Sequence, residues 1–351
     1  METEEDNEIL YVGFNQDASC FACGSETGFK IYKHTHSTET NLQHRSFKNT
    51  FSREFDGGIG IVSMLFQWNI LAIVGGGATP KYNPDRVMLW DDNQSKWIGE
   101  LKFKTPVKGV RMNKETIAVV LQDRCYVYEF SNLKIKDAIE TFDNPDGICC
   151  LSAKKDSNVL ACPDKEKGKI RVSLFDNNSK IDAHEGAIAC LALSFDGSII
   201  ASASDRGTLV RIFNTSSGSK LQEVRRGSEI AKIYSISFST ANDMMAVASD
   251  KGTAHIFALD LENEEKRLEE LSTNTKSVFG FMAGVLPTYF SSEWSFAQFK
   301  FCEDGKPMYT AWAFTTENKL VLVSTKGDYF LLDVDKVEKT VSKKVHLKFN
   351  Q

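Results

Sequence analysis

From Ile199 to Ser204 small and apolar residues run without interruption (Ile199-Ile200-Ala201-Ser202-Ala203-Ser204). The run breaks at the polar turn Asp205-Arg206-Gly207 and resumes as Thr208-Leu209-Val210-Arg211-Ile212-Phe213. The first stretch has the pattern of a strand buried on both faces, and the second alternates around Arg211 as a half-buried strand does. The same pattern returns from Met245 to Phe257, and weaker copies run from Phe21 to Tyr32, Leu71 to Trp90, Ile117 to Tyr128, Val159 to Phe175 and Leu320 to Leu332. Four of the six intervals between their closing apolar residues lie near the ~40–45 residues of a four-stranded propeller blade. The two longest intervals predict insertions at about residues 33–55 and 260–289. The pattern therefore predicts an all-β fold, a single seven-bladed WD-type β-propeller over residues 1–351. The blade that follows Ala183-His184-Glu185-Gly186 can be parsed in full, with strands at about 187–194, 198–204, 208–214 and 220–224 and turns at Gly197, Gly207 and Gly218. Ile9 to Phe14 is a candidate for completing the last blade, and the pattern alone leaves the closing strand open.

Composition narrows the function. The net charge is -5, so no global positive field draws the chain to nucleic acid, and any anionic ligand must be held by local basic geometry. Met1 to Asp6 is acidic, without the apolar run of a secretory signal, and no stretch approaches the roughly 18 apolar residues of a membrane span. A cytoplasmic setting is expected, and there the eight cysteines read as buried reduced thiols. Cys20 and Cys23 form a CxxC, but no second pair stands at zinc spacing and the stretch reads as strand, so no metal is expected. Gly75-Gly76-Gly77 fits neither phosphate-loop spacing, and the chain carries no GxSxG or HExxH. Neither catalysis nor a cofactor is expected, and the chain is expected to be a monomer.

The candidate chemistry lies at Leu221-Gln222-Glu223-Val224-Arg225-Arg226-Gly227, the end of the outer strand of the fifth blade. Consecutive strand residues point to opposite faces, so Arg225 and Arg226 serve two different pockets. Gly227 is expected to permit a turn and close backbone approach. The fifth blade offers Ser202, Ser204, Thr208 and Arg211, with His184 in the preceding turn. The sixth offers Ser249, Lys251, Thr253 and His255 at equivalent places. Guanidinium, hydroxyl and imidazole together suit phosphate monoesters, whose oxygens arginine binds bidentately. Ser, Thr and His near blade turns also build hydrogen-bond networks, and His184 has both readings.

At these residues the chain resembles the PROPPIN family, the autophagy β-propellers called WIPI proteins in animals. The family hallmark is Arg-Arg-Gly preceded by Phe or Leu, and here Val224 holds that apolar place. The resemblance extends to Gly13-Phe14-Asn15-Gln16-Asp17, to Val74-Gly75-Gly76-Gly77 through Trp90-Asp91-Asp92, and to Tyr289-Phe290-Ser291-Ser292 with Trp294-Ser295-Phe296. The glycine run followed by Pro80-Lys81-Tyr82 is similar to the animal WIPI subgroup numbered three and four. The resemblance implies binding of phosphatidylinositol 3-phosphate and phosphatidylinositol 3,5-bisphosphate, with recruitment from the cytoplasm to autophagosome precursors and to endosomal or lysosomal membranes. It assigns Arg225 to one site with Ser204, Thr208 and Arg211, and Arg226 to a second with Ser249, Thr253 and His255. It also implies an autophagy lipid-transfer protein as partner, met by Asn15, Asp17 and the segment around Lys81. Asn15 and Asp17 also have the character of ordinary turn residues.

Within the second insertion, a charged stretch from Glu262 to Leu271 precedes the uncharged run Val278-Phe279-Gly280-Phe281-Met282-Ala283-Gly284-Val285-Leu286. Nine residues cannot span a bilayer, but Val278, Phe279, Phe281, Met282 and Leu286 can lie in its interface, where each large side chain contributes ~1.5–3 kcal/mol. Similar loops of the family insert into the anionic membrane surface. The same run could instead supply a strand of the sixth blade. The competing function is a protein scaffold that touches no lipid, because propellers host many functions.

Overall fold

The computed structural model describes residues 8–34, 47–154, 157–174, 177–261, 293–302, 308–315 and 319–350. Seven sheets follow one another along the chain, each built on antiparallel strands, and the fifth adds one short parallel strand from further along the sequence. Blade 1 contains Ile9–Phe14, Cys20–Ser25, Gly28–His34 and Phe47–Glu54; blade 7 contains Thr310–Phe314, Lys319–Ser324, Asp328–Asp335 and Thr340–Lys348. The seven-bladed all-β propeller read from the sequence is the observed fold. All four fifth-blade strands lie within a residue of their expected bounds, at Ile188–Leu193, Ile199–Ser204, Leu209–Asn214 and Lys220–Arg225.

The small-residue runs occupy the second strand of each blade. Ile199–Ser204 and Met244–Ser249 are buried at every position, and only small side chains allow sheets to pack closely on both faces of such a strand. Outer strands alternate instead, as in Thr340–Lys348, where one face meets solvent. Apolar packing runs from blade to neighbouring blade around the ring. One cluster joins Val210, Ile212 and Val224 of blade 5 to Met245, Val247 and Phe257 of blade 6. Another joins Phe21 and Tyr32 of blade 1 to Val323 and Tyr329 of blade 7.

One open point about organisation is settled and one expectation is corrected. Ile9–Phe14 pairs with Cys20–Ser25 of its own blade, so the termini close the ring by packing and not by an exchanged strand. At that seam the Tyr32 hydroxyl donates to the Phe349 carbonyl at 2.7 Å, and the Phe21 and Tyr32 rings stack at 4.8 Å. Residues 33–34 and 47–54, expected within the first insertion, are strand. The uncharged run Val278 to Leu286 lies outside the described residues.

Cys20 and Cys23 lie in strand as expected, and all eight cysteines are free thiols. Burial raises the pKa of Cys23 and of Cys190 to about 12, which keeps both protonated. No helix among the described residues is long and apolar enough to cross a membrane.

Candidate functional site

The outer strand of blade 5 runs from Lys220 to Arg225 and ends beside the turn of the strand that precedes it. Its pairing fixes which way each side chain leaves the sheet. Gln222 and Val224 turn toward blade 6: the Gln222 amide reaches the Ala258 carbonyl, and Val224 joins the core shared by blades 5 and 6. Glu223 turns the other way and pairs with Arg211, with 2.7 Å between Nε and Oε2. Strand alternation then gives Arg225 the side of Glu223 and Arg226 the side of Val224.

Arg226 is buried and held on that side. Its Nε donates to the Gly207 carbonyl at 2.9 Å, its Nη2 donates to the Glu229 carbonyl, and its backbone N–H meets the Thr208 carbonyl at 3.0 Å. Burial lowers its pKa, and the nearby carboxylates of Asp250 and Glu229 oppose that shift. Gly207 has φ +59, and a Cβ there would fall 1.9 Å from the Ala231 carbonyl oxygen, so the turn that presents the anchoring carbonyl requires glycine. Gly227 corrects the turn half of its expectation. Its φ is not left-handed, and a Cβ there would meet nothing within 4 Å, so the protein's own fold does not require glycine there.

Arg225 is likewise buried, opposite Leu209, and a short strand, Glu293–Trp294, pairs with Val224 and Arg225 in parallel as a fifth strand. Arg211 also donates to the Ala183 carbonyl at 2.6 Å. His184 shows the network role, with Nε2 3.0 Å from Ser202 Oγ. Burial first, and the Arg211 charge second, lower its pKa to about 4. Ser204 is buried, and Thr208 immediately precedes the third strand of the blade.

On blade 6, His255 is the counterpart. Its Nδ1 lies 3.2 Å from Ser295 Oγ, and its pKa is lowered to about 4, by burial and then by Arg226. The structure thus brings Arg226 and His255 into one electrostatic neighbourhood. Ser249 is fully buried and its hydroxyl accepts the Lys251 N–H; the Lys251 amine lies 4.0 Å from Glu229, and Thr253 pairs with Lys300.

The expected partner-binding residues sit in blades 1 and 2 and carry local bonds. Asn15 Oδ1 accepts the Cys20 N–H at 3.0 Å, and Asp17 Oδ1 accepts the Ser19 N–H at 3.1 Å, which is the turn chemistry of these residue types. Lys81 pairs with Asp56 and lies over the Phe55 ring.

Sequence reasoning missed Gln16 between them, whose amide donates to Met64 O and Met112 O and so ties blades 1, 2 and 3. It also missed the carboxylates that face the arginines, Glu223, Glu229 and Asp250. Glu223 was the detectable one, two residues before Arg225 and therefore on its face.

The PROPPIN family profile matches residues 9–343. Autophagy-related protein 18e of Arabidopsis thaliana is 38% identical over 333 residues, covering 93% of this chain and 84% of the relative. Autophagy-related protein 18 of Yarrowia lipolytica is 38% identical over 72% of this chain and 67% of its own length. Among solved structures, Hsv2 of Kluyveromyces lactis superposes with a TM-score of 0.74 at 25% identity, covering 97% of this chain and 99% of that one. A complex described as KlAtg21 with the coiled-coil of AgAtg16 shares the fold, with a TM-score of 0.75 at 23% identity and the same coverage. The chain belongs to the PROPPIN family of autophagy β-propellers.

Proposed function

We propose that this chain is a peripheral membrane effector that binds phosphatidylinositol 3-phosphate and phosphatidylinositol 3,5-bisphosphate during autophagosome formation. The observation that carries the reading is the parting of Arg225 and Arg226 to the two sides of one strand end. One headgroup then sits on the blade 5 side, with Arg225, Ser204, Thr208, Arg211 and His184. The other sits on the blade 6 side, with Arg226, Gly227, Ser249, Lys251, Thr253 and His255. A charge-assisted hydrogen bond contributes roughly 1.5–3 kcal/mol, so one site alone is weak and two on one membrane gain by avidity. The carbonyl bonds that hold Arg226 orient it before ligand arrives, which lowers the ordering cost of binding. The uncharged run from Val278 to Leu286 inserts at the membrane interface. In blades 1 and 2, Asn15, Asp17 and Lys81 receive an autophagy lipid-transfer protein. The protein is cytoplasmic until lipid recruits it.

The test is flotation on liposomes with and without phosphatidylinositol 3-phosphate. The variant R225T/R226T should stay at the bottom of the gradient, while substitution of the exposed Arg206 by Gln should float as the parent does. Thermal unfolding accompanies the assay, because Gly207 and Glu229 lose a donor in R226T and about 1–3 kcal/mol of stability goes with it. A folded double variant that floats as the parent does would overturn the site and favour the protein scaffold.

A further inference from the structure

Far from the perimeter arginines, one guanidinium lies on the axis of the ring. Arg111 belongs to Gly109–Met112, the innermost strand of blade 3. Its Nε donates to Cys149 O and its Nη1 to Val110 O, each at 3.0 Å. Two axial cavities, of about 710 Å³ and about 260 Å³, share Arg111, Asp146, Gly147, Ile236 and Tyr309 in their walls, so Arg111 stands where they meet.

The charges around it are unbalanced. Asp146 lines both cavities, but it pairs with Lys232 at 2.9 Å. Lys108 and Asp17 line the larger cavity, and Lys232 and Tyr234 the smaller. Among the described residues no carboxylate pairs with Arg111, although a guanidinium withdrawn from bulk water ordinarily finds one. What faces it instead is phenol: Tyr11, whose ring lies over Gly13, and Tyr309. Burial raises the Tyr11 pKa and lifts that of Tyr309 to about 12, so both remain O–H donors at neutral pH. Tyr309 leaves 46% of its surface open and lines both cavities.

We infer that the axial channel is a binding site for a small free oxyanion of the phosphate class, held by Arg111 and the hydroxyls of Tyr11 and Tyr309. A guanidinium anchored by two carbonyls and paired with no carboxylate among the described residues, beside phenol hydroxyls in the wall of a cavity many water volumes in size, forms such a site. The ligand is a soluble ion, because a headgroup anchored in a bilayer cannot follow the axis of the ring. The site is independent of the lipid reading.

Thermal unfolding of the full chain is followed with increasing sodium phosphate, against sodium chloride at equal ionic strength. The parent and R225T/R226T should both gain a saturable phosphate-dependent rise in Tm, since a ligand bound only to the folded state stabilises it. R111M should lose the rise, with apparent affinity falling at least about tenfold. Y309F, at a partly open position, should weaken it and serves if R111M does not fold. No saturable rise in the parent would overturn the site, as would equal affinity in both Arg111 and Tyr309 variants. A rise that disappears in R225T/R226T but survives in R111M would place the anion at the perimeter and overturn it too.

Discussion

His184 and His255 are buried, and each feels an arginine, so both causes disfavour the charged ring and lower the pKa from the usual 6.5 to about 4. The unfolded chain takes up protons below pH 6.5 and the folded chain resists until about pH 4. The stability these groups confer is therefore complete above pH 6.5 and is lost as pH falls toward 4. At about 1.4 kcal/mol per pKa unit, His184 accounts for on the order of 2–3 kcal/mol by the acid end. Urea unfolding at pH 7, 6 and 5 should show the decline beginning above the carboxylate range, and H184Q should flatten it. A parent profile that is level over that window contradicts the assignment. The residue types around His184 were legible in the sequence. Its partner was less so, because Ser202 stands one register from Ser204 and reads as a small packing residue, until the strand pairing sets its hydroxyl against the imidazole.

At the scale of the element, the blade 5 outer strand does two things at once. Val224 closes the core with blade 6, and the same two-residue period separates the arginines that follow. Two glycines near its end separate structure from ligand. G207A forces a side chain against the Ala231 carbonyl in the left-handed region and should cost more than about 1 kcal/mol, measured by chemical unfolding. G227A meets open space and should leave stability within about 0.5 kcal/mol. Reduced liposome binding by G227A would then report a headgroup passing close to that backbone. Equal destabilisation by both substitutions would contradict this division. Alternation around Arg225 was readable because it is local. The parallel strand Glu293–Trp294 was not, since its partners lie on the far side of an insertion and parallel pairing leaves no turn signal.

For the whole molecule, the repeat was legible because every blade meets one constraint, a small-residue strand packed between neighbouring sheets. Ring closure was not, because Ile9–Phe14 carries the same pattern whichever blade it completes, and only its pairing with Cys20–Ser25 decides, which leaves the seam to the packing of Phe21 and Tyr32 on Tyr329 and Phe349. Arg111 was illegible for a related reason: a residue on the axis gains its neighbours from several blades at once. The account rests on two phosphate receptors sharing one strand end. Affinity for nanodiscs containing phosphatidylinositol 3-phosphate, titrated for the parent, R225T, R226T and the double variant, measures this directly. Each single variant should bind at least about tenfold more weakly than the parent yet above lipid-free background, and the double variant should fall to background. If either single substitution alone reached that background, the two arginines would be serving one site and the account would be contradicted.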